Sequence, residues 1–203
     1  AVTVQTDKGT YTGKKLVITA GPWSADLIPG IKDKLKITRQ VLSWLQPASS
    51  AQFTTDRFPC WMIVKPGSPG SYYGFPAMKS GEVGGPAGIK LALHHPGQVT
   101  TAGTIDRSIH PADLDHLVSF AKEYIPSAGT TITDTATCMY SNSPDEHFII
   151  DHLPGTDKQV ITACGFSGHG FKFVSVVGEV LAELVVDGRT EMKIDFLRAD
   201  RLS

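Results

Sequence analysis

Gly165-Phe166-Ser167-Gly168-His169-Gly170-Phe171-Lys172-Phe173 is the stretch on which the fold turns. Before it, Gln159 to Cys164 forms a short apolar run that predicts a buried strand. After it, Val174 to Val186 carries apolar residues at helical spacing and stops at Gly188, a residue suited to a helix C-terminus. A glycine-rich turn therefore joins a strand to a long helix. Such a turn offers unpaired N–H groups and the positive end of a helix dipole, which together favour an anion. Lys172 in the first helical turn, with His169 nearby, is disfavoured by that dipole by about 0.3–1 kcal/mol unless a negative ligand is held there. Two readings follow: one wall of a small-molecule site, or a tight connection whose lysine points into water.

Working outward, Lys15 to Ala20 is a β-branched run that ends at Gly21-Pro22-Trp23, with a short helical stretch near Ser24 to Leu27. A strand, a small-residue turn and a helix start suit the last strand of a nucleotide-binding sheet. Val2 to Gln5 and Thr10 to Thr12 predict a hairpin across Thr6-Asp7-Lys8-Gly9. Further strands are expected at 35–45, 60–65, 72–76, 131–140 and 148–151, and a short one at 193–197. Pro47 to Pro59 reads as a polar loop, Pro66 to Gly70 as a turn and Gly81 to Gly88 as a glycine-rich connection. Pro111 opens the clearest amphipathic helix, with Leu114, Leu117, Val118, Ala121 and Tyr124 on one stripe and Pro126 beyond its end.

In Gly88 to His95 the alternation places Ile89, Leu91 and Leu93 on one face and Lys90, Ala92 and His94 on the other. That second face meets solvent or lines a polar cavity, with solvent the commoner case. Strands joined mostly by turns, with two substantial helices, give an α+β fold: a mixed, largely antiparallel sheet with helices on one face.

Composition narrows the function. Lys+Arg 19 against Asp+Glu 20 leaves a net charge of -1, so no basic field for nucleic acid and no polybasic membrane patch is expected. No apolar run reaches bilayer-spanning length. Cys60, Cys138 and Cys164 are not spaced as CxxC, which argues against a zinc site or disulfide framework and fits a reducing, cytoplasmic compartment. The chain opens on Ala1-Val2-Thr3-Val4 without Met, as a piece of a longer protein or a processed product would.

Several of these segments, taken in order, resemble the C-terminal half of the monomeric sarcosine oxidases. N-methyltryptophan oxidase is a close relative in the same D-amino-acid-oxidase-like flavoprotein superfamily. The resemblance is carried by Tyr72 to Pro76, Ile89-Lys90-Leu91, Cys138-Met139-Tyr140, Asp145 to Asp151 and Gly165 to Phe173, with Ala20-Gly21-Pro22-Trp23 as the final strand and turn of the FAD domain. It implies a substrate domain at 31–137, between remnants of an FAD-binding domain at 1–30 and a flavin-contacting segment with the C-terminal helix at 138–203.

It also implies roles. Cys138 would carry FAD through a thioether. Lys90 would promote reaction with oxygen, and Lys172 would bind the substrate carboxylate. Tyr73, His94, Tyr140 and His169 would line the substrate side, while Met139, Gly165, Phe166, Gly168, Gly170, Lys172, Ala20 and Gly21 would contact the cofactor. No metal is implied. The partners are a small amino acid and oxygen, with no nucleic acid and no membrane.

The chain departs from that pattern in one major respect. No strand–GxGxxG–helix unit is present; Gly165, Gly168 and Gly170 have the wrong spacing. The 203 residues alone are thus expected to lack oxidase activity and to expose apolar surface for self-association with the N-terminal FAD-binding half missing. The Gly/Pro-rich loop between Tyr73 and Lys90 is longer than the sarcosine enzymes would suggest, which leaves sarcosine, another N-methyl amino acid or a cyclic imino acid as substrate. Two further readings stay open: a non-catalytic module binding a small carboxylate or a partner chain, and a superfamily dehydrogenase using an acceptor other than oxygen.

Overall fold

The computed structural model describes residues 1–67, 70–78 and 85–202. The turn expected at 66–70 and the glycine-rich connection at 81–88 fall partly outside the described residues. Two compact units emerge: Ala1–Ile37 with Tyr140–Ser203, and Thr38–Met139.

In the first unit, β1 (Val2–Thr6) and β2 (Gly9–Gly13) form the expected hairpin, with Thr6 opposite Gly9. β3 (Leu16–Ile18) leads through a 3-10 turn at Gly21–Trp23 into α1 (Ser24–Leu27). The second unit holds most of β4 (Lys36–Gln46), then β5 (Trp61–Val64), β6 (Ser71–Met78), β7 (Gly88–Leu93), β8 (Gln98–Val99), α2 (Pro111–Tyr124) and most of β9 (Thr131–Asn142). The chain then returns to the first unit with β10 (Ile149–His152), β11 (Val160–Cys164) and α3 (Val174–Val186).

The second unit is built on the strand order β5-β6-β7-β4-β8, with β9 also paired to β4. The pairs β5–β6, β6–β7, β7–β4 and β4–β8 are antiparallel. One face packs on α2: Leu45, Tyr72, Ile89 and Leu91 meet Leu117, Phe120 and Ala121 in a single core. Phe120 is 1% exposed and its ring stacks 4.0 Å from Tyr72. The loop at 47–59 is less polar than expected, because Phe53 turns inward onto this core.

Arg39 on β4 fixes the start of α2. It is 5% exposed and holds both Asp113 carboxylate oxygens at 2.7 and 2.8 Å, while its Nε donates to the Asp106 carbonyl at 2.7 Å. Asp113 in turn accepts the His110 N–H at 2.9 Å, which caps the helix. At the other end Ile125 leaves the helical region because Pro126 follows it.

In the first unit β11 lies between β10, antiparallel, and β3, parallel. All five of its residues are buried, as a strand covered on both faces requires. Ile161 and Ala163 face Val180 and Leu184 of α3, while Cys164 and Ile149 pack with Ile28 and Ile31. The strand expected at 193–197 is instead a loop and a 3-10 turn, Asp195–Leu197. Ile194 and Leu197, three residues apart, both pack on the α3 core, which a turn permits and an extended strand does not.

Candidate active site

The second unit sets Tyr73, Lys90 and His94 on the sheet face opposite α2, with Cys138 of β9 near enough to Lys90 for the two to interact electrostatically. Ile89 and Leu91 are fully buried in the core, so the pleat of β7 turns Lys90 and Ala92 the other way. Register places Phe75 and Trp44 on either side of Lys90, and Tyr73 beside Ala92. The Lys90 ammonium stands 5.3, 5.7 and 6.0 Å from the ring centres of Phe75, Trp44 and Tyr73. This face is an aromatic recess around one cation, not the solvent face that was the commoner expectation. Tyr73 meets His94 edge-on at 5.9 Å, and the His94 N–H donates to the Ser71 carbonyl at 2.7 Å.

Electrostatics in this recess are dominated by burial. Desolvation pushes the Lys90 pKa down, against a smaller upward pull from Cys138. The same cause pushes the Cys138 thiol up, with Lys90 partly offsetting it. Each group thus makes the charged form of the other less costly. Met139 follows on β9 and points to the opposite side of the strand from Cys138. Trp44 and Phe75, not among the expected site residues, complete the recess. Their place depends on pairing between distant strands.

The first unit holds the glycine-rich turn. Gly165, Ser167 and Gly168 have φ of 66°, 49° and 76°. Left-handed backbone is costly for Ser167, which is 1% exposed and fastened from several sides. Its N–H donates to the Ser141 carbonyl at 2.9 Å, and its Oγ accepts the Ser143 N–H at 3.2 Å and donates to the Gly165 carbonyl at 3.2 Å. A side chain at Gly168 would run into the Tyr140 ring, and one at Gly170 into Phe166, so both glycines permit close approach.

His169 Nδ1 lies 3.0 Å from the Ser167 carbonyl, which can only accept, so Nδ1 is the donor of that bond. Lys172 sits in the 3-10 turn Phe171–Phe173 just before α3, one step earlier than the first helical turn. Its ammonium is 5.3 Å from the Phe173 ring, is exposed, and forms no salt bridge among the described residues. Lys172 and His169 border an apolar cavity of about 280 Å³ lined also by Phe148, Val177, Met192 and Phe196. Ala20 and Gly21 close β3, with Gly21 at φ 54° and the Trp23 N–H donating to the Ala20 carbonyl.

Each unit offers a different device: the second pairs a thiol with an ammonium, and the first sets a lysine before a helix. Thiolate chemistry at Cys138 would have to overcome its burial, which pushes the thiol up, and the Lys90 ammonium offsets part of that. The turn before α3 sets an exposed lysine beside a helix N-terminus, an arrangement that favours an anion. The dinucleotide end has no corresponding device in this sequence, which has no GxGxxG after a strand. Among the described residues no His/Cys/Asp/Glu group could hold a metal ion, and no helix is long and apolar enough to cross a membrane.

The chain is 38% identical over 203 residues to monomeric sarcosine oxidase of Streptomyces avermitilis, covering 100% of this chain and 52% of the relative. It is 34% identical over 202 residues to N-methyl-L-tryptophan oxidase of Escherichia coli, covering 98% and 51%. The chain thus spans about half the length of the curated relatives it matches. Among solved structures, the amino acid oxidase NikD superposes with a TM-score of 0.78 at 19% identity, over 97% of this chain and 50% of that one. L-proline dehydrogenase from P. horikoshii gives 0.75 at 21%, over 98% and 50%. The fold is thus that of these flavoenzymes. Residues 1–184 match the family described as FAD dependent oxidoreductase, and the chain belongs to that family.

Proposed function

We propose that this chain is part of a flavin-dependent oxidase that takes N-methyl amino acids to imines with release of hydrogen peroxide. The observation that carries the reading is the aromatic recess around Lys90, with the Cys138 thiol near enough to interact with its ammonium. When bound, FAD supplies the two-electron chemistry that oxidises the amine and reduces oxygen. Lys90 keeps a positive charge in a low-dielectric recess where oxygen gains negative charge, and it does so without reorganising. Cys138, as thiolate, is the attachment point. Lys172 takes the substrate carboxylate, and His169 lines the substrate side. Tyr73, His94 and Tyr140 shape the substrate side.

In this reading residues 1–30 are the last strands of the FAD-binding domain, 31–137 the substrate domain, and 138–203 the flavin-contacting segment and final helix. Ala20, Gly21, Met139, Gly165, Phe166, Gly168 and Gly170 contact the cofactor. Residues 1–203 alone are inactive in this reading, since their sequence has no strand–GxGxxG–helix unit to grip the dinucleotide. Exposed Trp23, Leu27, Phe171, Val174 and Val186 in the first unit favour self-association of these residues when nothing covers them.

The test is oxygen consumption and peroxide release by the full-length protein loaded with FAD, with sarcosine, other N-methyl amino acids and a cyclic imino acid as substrates. Peroxide formed in step with oxygen uptake supports the oxidase. Flavin reduced by substrate but not reoxidised by oxygen points to a dehydrogenase and overturns it.

A further inference from the structure

In the first unit one side chain of the 3-10 turn Ala199–Leu202 fastens the loop between β9 and β10. Arg201 is 16% exposed, and its guanidinium donates to both Asp145 carboxylate oxygens, from Nε at 2.8 Å and from Nη2 at 3.0 Å. Nη2 also donates to the His147 carbonyl at 3.0 Å, and Nη1 to the Arg198 carbonyl at 2.8 Å. A planar fork that meets a carboxylate with two bonds fixes position as well as charge. The Arg201 hydrogen bond holds the Asp145 carboxyl far below the ordinary carboxylate range. The turn that carries Arg201 is itself seated: Ala199 and Leu202 pack on Ile28, Ile31 and Cys164, and the Ala199 N–H donates to Asp151 at 2.9 Å.

The loop so fastened is the one that holds Ser167. Ser143 Oγ donates at 2.6 Å to the His147 carbonyl, the oxygen that Arg201 also reaches, and the Ser143 N–H donates to Ser167 Oγ at 3.2 Å. Ring contacts take the same route, with Phe148 at 4.8 Å from Phe166 and 5.0 Å from His169. Pro144 to His147 are exposed, and Glu146 has a φ of 62°. Left-handed backbone at Glu146 and Ser167 persists only where the surroundings determine it, and Arg201 supplies that determination from outside the loop.

Resting on the oxidase reading above, we infer that Arg201 is a positioning residue: through Asp145, His147 and Ser143 it holds the turn 165–170 in the shape that sets His169 and Lys172 for the substrate carboxylate. It acts through the loop and not by contact with the substrate. Without its charge Asp145 loses its partner, the loop loosens, and Ser167 loses part of what keeps it left-handed.

The experiment uses the full-length FAD-loaded protein with Arg201→Gln, Arg201→Lys and Asp145→Asn. Arg198→Gln is the control, because the Arg198 side chain pairs with Asp200 of its own segment. Amide hydrogen exchange is followed at 165–170, where the Ser167 and His169 N–H groups donate to the Ser141 and Phe166 carbonyls and so report the turn directly. Binding of butanoate, which has the shape of sarcosine with a methylene for its amine, is measured by calorimetry, and kcat and KM are measured for the N-methyl amino acid that the parent oxidises fastest. Arg201→Gln and Asp145→Asn should speed exchange at 165–170 at least about tenfold while α2 exchanges as in the parent. Both should weaken butanoate about tenfold and raise KM in step, with kcat kept within about twofold. Arg201→Lys, which keeps the charge but not the fork, should fall between Arg201→Gln and the parent, and Arg198→Gln should match the parent.

Unchanged exchange at 165–170, or faster exchange with butanoate affinity and KM unmoved, overturns the role. An equal loss in Arg198→Gln also overturns it, since the whole segment and not the Arg201 link would then matter. If Arg201→Gln does not fold, Arg201→Lys and Asp145→Asn decide by the same readings. Failure of the parent to oxidise any N-methyl amino acid overturns the oxidase reading instead. Exchange at 165–170, which needs neither turnover nor ligand, then decides whether Arg201 holds the turn.

Discussion

Lys90 on β7 and Cys138 on β9 stand close enough that each lowers the cost of charging the other, yet burial outweighs the pairing for both. A recess of this kind keeps a cation and a thiol in reserve. The thiol is largely protonated at neutral pH until something stabilises its thiolate. The ammonium form of the lysine acts on an anion in the recess more strongly than it would in open water, because its surroundings are partly desolvated.

Lys90→Met should slow reoxidation by oxygen at least about a hundredfold while sparing anaerobic reduction by substrate, the size expected for loss of one preorganised electrostatic group. Stopped-flow absorbance separates the two half-reactions. An unchanged oxygen rate removes Lys90 from the mechanism.

The same substitution should push the Cys138 thiol further up, since the only favourable charge acting on it is lost. Alkylation of Cys138 by iodoacetamide, followed against pH in flavin-free protein, would then require more alkaline solution in Lys90→Met than in the parent. A profile that stays put or moves to lower pH would show that the two groups are not coupled.

Arg39→Met should destabilise the second unit by about 3–5 kcal/mol, because it strands the Asp113 carboxylate and removes the anchor at the α2 N-terminus. The unfolding midpoint in urea reads this directly. A loss below about 1 kcal/mol would mean that solvent replaces the pair.

Stability should fall as the solution is acidified, in two stages. Burial holds the His116 pKa below its ordinary value, so the folded protein binds fewer protons there than the unfolded chain, and stability declines below about pH 6.5. The Arg39 hydrogen bond holds Asp113 below its ordinary range, so its contribution is present above about pH 3.9 and is lost as pH falls through the folded value. Exposed Asp106, drawn to about 2 by His110, acts in the same direction. Thermal melts between pH 8 and pH 3 check the order; His116→Gln should flatten the upper stage.

Gly168→Ala should disturb the first unit locally. The left-handed φ of 76° costs a non-glycine residue about 1–2 kcal/mol, and the new methyl meets the Tyr140 ring. Displacement of Tyr140 should appear as a changed tyrosine signal in near-UV circular dichroism; an unaltered spectrum and midpoint would contradict it.

Much of this arrangement is legible in the chain. Pro111 and Pro126 bracket α2, and the alternation from Gly88 sorts Ile89 and Leu91 from Lys90. The run Gly165 to Phe173 marks the turn before α3, because positive φ and close ring contact both demand glycine. What was hidden depends on pairing far along the sequence. Trp44 reaches Lys90 only through the β4–β7 register, and Phe75 only through β6–β7. The tail was misread because Lys193-Ile194-Asp195 mimics strand alternation, whereas Ile194 and Leu197 are paired by a turn.

The most direct test is to denature the full-length protein after expression with FAD and map its peptides by mass spectrometry and absorbance. The account predicts a yellow chromophore that stays with the peptide containing Cys138, and its loss in Cys138→Ser. A flavin that washes away on denaturation, with Cys138 recovered as a free thiol, would contradict it.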